Sequence, residues 1–129
     1  MTEAEHVPDP MDVVFAFVDA RRRHDIDAIR DLLHPDVVHE GFTPELRCDG
    51  RDAVLENVRS SFERTDAGVD HLELRRIGKS VLLGFGGPGF ADAPWAGQSA
   101  TLYILHTVRD GKIVAMRDFL DRDDAMAAA

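Results

Sequence analysis

The last third of the chain, residues 97–121, constrains the fold more than any other segment. Two runs of alternating apolar residues flank Asp110-Gly111. An Asp-Gly pair between such runs is the strongest short-range signal for a β-hairpin. A two-residue turn predicts that Arg109 lies opposite Lys112 and that the two strands pair residue by residue from there. The chain therefore ends in an antiparallel strand pair.

This register predicts a carboxylate beside a phenol. Tyr103 falls opposite Asp118, and directly opposed residues share a face of the sheet. A carboxylate among apolar side chains is costly unless it is paired or has a chemical role. We therefore predict Asp118 and Tyr103 as an acid–base pair. The register also sets Leu105 opposite Met116 and Thr101 opposite Leu120 on this face, and His106 opposite Ala115 on the other.

Helical patterns precede the strands. Asp9 before Pro10 predicts one helix start, and Asp25 predicts a second helix that Pro35 ends. A third helix follows Gly50, and the tail at 123–129 is read as a final helical turn. Helices followed by a run of antiparallel strands indicate an α+β fold with the helices on one sheet face. The strands are predicted at 37–42, 69–77, 79–85, 97–108 and 112–121, with a loop at 44–49. We predict a single domain that spans 9–125, between tails at 1–8 and 126–129.

Composition excludes several classes of protein. A net charge of −9 argues against binding to nucleic acid or to anionic membranes, because phosphate binding requires a basic surface. The basic cluster at 21–24 falls at a helix C-terminus, where cations complement the helix dipole. Cys48 is the single cysteine, which fits a reducing, cytoplasmic compartment. The histidines are scattered, and no metal site is expected.

Five segments of the chain carry a family resemblance: 15–20 before His24-Asp25, 33–38, 50–54, 110–113 and 116–121. Together they resemble the nuclear transport factor 2-like superfamily. Within it the chain is similar to the SnoaL-like branch, which includes polyketide cyclases, limonene epoxide hydrolase and ketosteroid isomerase. The resemblance implies a cone formed by a curved mixed or antiparallel sheet, with three N-terminal helices covering it. It also implies an apolar pocket for a small molecule and a homodimer formed through the outer sheet face, where Arg117, Phe119 and His106 are expected.

The resemblance also assigns site residues. Asp118 falls at the position of an Asp that helps to activate water in limonene epoxide hydrolase, but the positions of its Arg and second Asp fall near Phe85 and Gly87. The base of ketosteroid isomerase falls on Gly41. SnoaL-type cyclases use a His and an Asp on adjacent C-terminal strands. Asp118 matches that Asp, whereas the hairpin register sets His106 on the opposite face unless a bulge reverses it.

Alternation along 37–41, combined with the resemblance, sets His39 on the cavity face as a partner for proton relay with Asp118. The remaining cavity wall is predicted to include Phe17, Met116 and Trp95, the last as a lid or a plug. Leu105, Thr101 and Leu120 complete the predicted substrate-binding set. The glycines at 84–89 fit G-x-G-x-x-G, but Pro88 prevents the helix that a dinucleotide site needs.

Two functional classes remain open. The first is a cofactor-independent acid–base enzyme that acts on an apolar or cyclic substrate, of the cyclase, isomerase, dehydratase or epoxide hydrolase type. The second is a non-catalytic ligand-binding or dimeric interaction domain that lacks the full catalytic set.

Overall fold

The protein folds around a six-stranded mixed sheet with helices on both of its faces. The computed structural model describes residues 8–41, 43, 45–64, 71–86 and 101–129. The strands lie in the order β2-β1-β6-β5-β4-β3, and β1 runs parallel to β6 while all other neighbours are antiparallel. The elements are α1 (Pro10–Arg22), α2 (Ile26–Leu32), β1 (Leu33–Glu40), β2 (Arg47–Asp49), α3 (Arg51–Arg64), β3 (His71–Ile77), β4 (Ser80–Gly86), β5 (Thr101–Arg109), β6 (Lys112–Phe119) and α4 (Arg122–Ala128).

The predicted helix starts are confirmed by their caps. The side chains of Asp9 and Asp25 accept hydrogen bonds from backbone N–H groups in the first turns of α1 and α2. The end of α2 differs from the prediction: Leu33 is already extended and begins β1, one residue before His34, where Pro35 disfavours helical geometry. Leu33 is nevertheless fully buried. Within the described residues, no helix is long and apolar enough to cross a membrane.

Helices α1, α2 and α3 cover one side of the sheet, which we call the inner face. A continuous apolar core lies between them and the strands. Its strand members occupy alternate positions, as expected when only one pleat face is buried against the helices. Examples are Val81 and Leu83 on β4, Ile104 on β5 and Met116 on β6.

The fourth helix covers part of the opposite side, the outer face. The sequence predicted only a helical turn and a tail here, but α4 extends to Ala128 and contacts β4, β5 and β6. The guanidinium of Arg122 donates two hydrogen bonds to the carboxylate of Glu73 on β3, at 3.0 and 2.7 Å. Leu82 and Leu105 are buried on this face. The predicted loop at 44–49 likewise contains a short strand, β2.

The β5–β6 hairpin departs from the predicted register after two residue pairs. Arg109 pairs with Lys112 across the turn as expected, and Val108 pairs with Ile113. Thr107 then pairs with Ala115, so Val114 is an extra residue, a β-bulge. Because side chains alternate between faces, this single extra residue exchanges the inner and outer residues of β6 relative to β5. The observed partners are Tyr103 with Phe119, Ile104 with Asp118, Leu105 with Arg117 and His106 with Met116.

Candidate functional site

The bulge gathers polar side chains on the inner face. The strand pairings connect four residues in one row across the sheet: Cys48 on β2, His39 on β1, Met116 on β6 and His106 on β5. Asp118 lies two residues further along β6 and shares the face of Met116. Two histidines, a thiol and a carboxylate therefore lie together on a surface that is otherwise apolar.

His39 and Asp118 form a hydrogen-bonded pair. The distance between His39 Nε2 and Asp118 Oδ1 is 2.7 Å, and the two side chains are 10% and 16% exposed. The other ring nitrogen, Nδ1, is buried and has no hydrogen-bond partner in the described part of the chain. A protonated Nδ1 would leave a buried donor unsatisfied, at a cost of about 1–3 kcal/mol. We therefore place the ring proton of His39 on Nε2, which donates to the carboxylate, and treat Nδ1 as an acceptor.

His106 is the second buried histidine. It has no exposed surface, its ring meets Phe17 edge-on at 5.9 Å, and its Nδ1 donates to the carbonyl of Ile104 at 3.2 Å. Burial, followed by the nearby His39, lowers the pKa of His106 to about 3, so the ring is neutral at physiological pH. The prediction that His106 lies on the outer face is wrong, because the bulge at Val114 turns it inward.

Cys48 borders this cluster. It is half-buried and packs against the core. Burial, followed by the carboxylates of Asp118 and Asp49, raises the pKa of its thiol. Cys48 was predicted to be an inert thiol in a loop or at the edge of the pocket, whereas the short strand β2 brings it beside His39.

The predicted pairing of Tyr103 with Asp118 is wrong. Tyr103 lies on the outer face, where it is opposite Phe119 and beside Gly84 on β4. A Cβ on Gly84 would lie 2.8 Å from Tyr103 Cε1, so the ring occupies the space that a side chain would need. Leu105, predicted as cavity wall, also lies on the outer face and pairs with Arg117. The residue that faces Asp118 is Ile104, which the predicted register had set on the other face.

The other predicted wall residues have mixed outcomes. Phe17 and Met116 lie on the inner side, with 0% and 2% of their surfaces exposed, and belong to the apolar core. Leu120 is half-buried. Thr101 pairs with Gly86 through its backbone, but its side chain is outside the described residues, as is all of Trp95. Among the described residues, no group of three ligating side chains is arranged to hold a metal ion.

Comparison with known proteins identifies the family. The sequence model of the SnoaL-like domain matches residues 14–116, and the chain belongs to this family. A search of curated proteins finds no match.

Solved structures share the nuclear transport factor 2-like fold. A proposed polyketide cyclase from Sinorhizobium meliloti superposes with a TM-score of 0.65 at 24% identity, over 84% of this chain and 94% of that one. A protein from Kribbella flavida superposes with a TM-score of 0.68 at 21% identity, over 93% of this chain and 95% of that one. An epoxide hydrolase from M. tuberculosis that resembles limonene epoxide hydrolase superposes with a TM-score of 0.60 at 21% identity, over 94% of this chain and 89% of that one. At these identities the likeness shows the fold alone.

Proposed function

We propose that this SnoaL-like protein is a cofactor-independent enzyme that moves a proton on a neutral, apolar or cyclic carbonyl compound. The observation that carries the proposal is the 2.7 Å hydrogen bond between His39 and Asp118 on a largely buried surface. Asp118 is the proton acceptor. His39 holds it in place by donating from Nε2 to Oδ1, which leaves the second carboxylate oxygen for the substrate. A positioned carboxylate of this kind typically contributes 10²–10⁴-fold to a proton transfer.

The surroundings of Asp118 favour removal of a carbon-bound proton over opening of an epoxide. Epoxide opening requires an acid at the ring oxygen as well as an activated water molecule. The inner-face residues that continue from Asp118 across β5, β4 and β3 are apolar, namely Ile104, Leu83 and Leu74. In the described part of the chain, no second carboxyl group lies in this row. An apolar wall beside a single carboxylate instead fits a neutral substrate with an acidified C–H bond, as in cyclase and isomerase chemistry.

Exchange of α-protons in D2O tests this step without knowledge of the natural substrate. Cyclohexanone and 1-tetralone are neutral cyclic probes, and ¹H NMR follows the loss of their α-proton signals. We expect the wild-type protein to accelerate exchange of at least one probe. Asp118→Asn should lower the rate by about 10²-fold or more, because the amide oxygen still accepts from His39 but cannot take a proton. His34→Gln, which removes a histidine elsewhere on β1, is the matched control.

A second candidate function is ligand binding without chemistry. It is favoured by the incomplete catalytic set, because in the described part of the chain Asp118 has only apolar neighbours in its row across β5, β4 and β3. If wild type and Asp118→Asn exchange both probes at the same rate, the enzymatic proposal is wrong and binding remains. Saturable binding of 1-tetralone by both proteins in calorimetry would then support this second function.

A further inference from the structure

Cys48 and His39 are neighbours across two antiparallel strands. They are direct partners in the β1–β2 pairing, so their side chains share the inner face with Cβ atoms about 4.5–5.5 Å apart. Cys48 is half-buried, and Asp118 is close enough to act on its thiol electrostatically. Since Asp118 also holds His39, the three side chains follow one another as thiol, imidazole and carboxylate.

The free nitrogen of His39 is the second observation. The side chain is nine-tenths buried, and its Nδ1 has no hydrogen-bond partner in the described part of the chain. With the proton on Nε2, Nδ1 carries a lone pair and acts as a base. A nucleophile beside an imidazole that a carboxylate orients is the general arrangement for activating a thiol or hydroxyl.

We propose that Cys48 captures a neutral electrophilic carbon, that of an α,β-unsaturated carbonyl compound, with His39 as its base and Asp118 as a positioning residue. The structure shows no hydrogen bond between Cys48 Sγ and His39 Nδ1, so the thiol proton passes to Nδ1 through one bridging water molecule, or after Cys48 turns about χ1 towards the ring, as Sγ bonds to the β-carbon. The electron pair of the C=C bond moves to the α-carbon and the carbonyl oxygen as an enolate. His39 then returns the proton to the α-carbon. The product is a neutral thioether, and no oxidant or reductant is needed.

The environment of Cys48 makes the reaction dependent on His39. Burial and the two nearby carboxylates disfavour the thiolate, so the pKa of Cys48 is raised and little free thiolate exists at neutral pH. The thiolate is the reactive form of cysteine. A thiol held protonated in this way reacts only when a base removes its proton during the attack, which distinguishes it from an ordinary accessible cysteine.

Intact-protein mass spectrometry with 2-cyclohexen-1-one tests the inference. Because Cys48 is the only cysteine, a single addition that Cys48→Ser abolishes is unambiguous. We expect the adduct to form in wild type at pH 7 and His39→Gln to slow it on the order of 10²-fold. Asp118→Asn should slow it less, because the amide can still orient the ring. His34→Gln is the control and should react as wild type.

Equal rates for wild type and His39→Gln would overturn the inference, because Cys48 would then react without a base. Absence of an adduct in wild type would also overturn it. The inference rests on the same His39–Asp118 pair as the proposed function, but the two fail separately. Cys48→Ser should keep α-proton exchange while losing the adduct. If wild type exchanges the probes no faster than Asp118→Asn but still forms the His39-dependent adduct, only the proposed enzyme is rejected.

Discussion

Replacing His106 tests the reversal of the hairpin register directly. The observed register buries His106 completely on the inner face, against Phe17. Burial lowers its pKa from 6.5 to about 3. The native state therefore binds no proton at His106 above about pH 4, while the unfolded chain binds one below its own pKa. Because the unfolded state takes up more protons, stability falls as the pH decreases through this window.

The magnitude follows from the two pKa values. Between pH 8 and pH 5 the unfolded state gains most of a proton at residue 106 and the native state gains almost none, which costs about 2 kcal/mol. The full effect, reached near pH 3, is roughly 5 kcal/mol. His106→Leu has a similar side-chain volume and removes this pH-dependent loss of stability. The difference in unfolding free energy between wild type and His106→Leu should thus shift by about 2 kcal/mol between pH 8 and pH 5, in favour of the variant.

Urea unfolding at pH 8, 7, 6 and 5 measures this difference, with His34→Gln as a control for the loss of a histidine outside the core. NMR offers a second readout, because the imidazole signals of His106 should not titrate between pH 8 and pH 5. If wild type and His106→Leu show parallel pH dependence, His106 is not held neutral in the native state. The inward placement of His106, and with it the bulge, would then be wrong.

Two further predictions concern the sheet itself. Gly84→Ala should destabilise the protein by about 1–3 kcal/mol in thermal or urea unfolding, because the new Cβ meets the Tyr103 ring at 2.8 Å. Adding Tyr103→Ala to this variant should recover part of the lost stability. No recovery would contradict the contact. Deletion of Val114 should lower the free energy of unfolding by more than Met116→Ala, which costs about 2–5 kcal/mol. The deletion turns Met116 and Asp118 away from the inner face together. An unchanged urea midpoint would show that the extra residue does not set the register.

Local sequence signals predicted much of the fold. The caps Asp9 and Asp25, the Asp110-Gly111 turn and the change of apolar period gave the elements and their order, because each depends on the chemistry of a few adjacent residues. Cys48 was missed for a different reason. Its strand is three residues long and pairs only at the sheet edge, so its formation depends on β1 and not on an apolar pattern of its own.

The sequence predicted that His39 lies beside Asp118, as the structure shows, but not which β5 side chains join them, because one residue decides this. Val114 has the β-branched side chain that any strand position favours, so no local signal marks it as a bulge. A regular hairpin sets Tyr103 beside Asp118 and excludes His106, whereas the bulged hairpin sets Ile104 beside Asp118 and brings His106 to the same face. The bulge belongs to the tertiary structure and not to a local signal. β6 pairs with β5 on one side and runs parallel to β1 on the other, and the β1 pairing also shifts in register between Leu33 and Val38. The extra residue at Val114 therefore decides that Ile104 and His106, and not Tyr103 and Leu105, share the inner face with Asp118 and Met116.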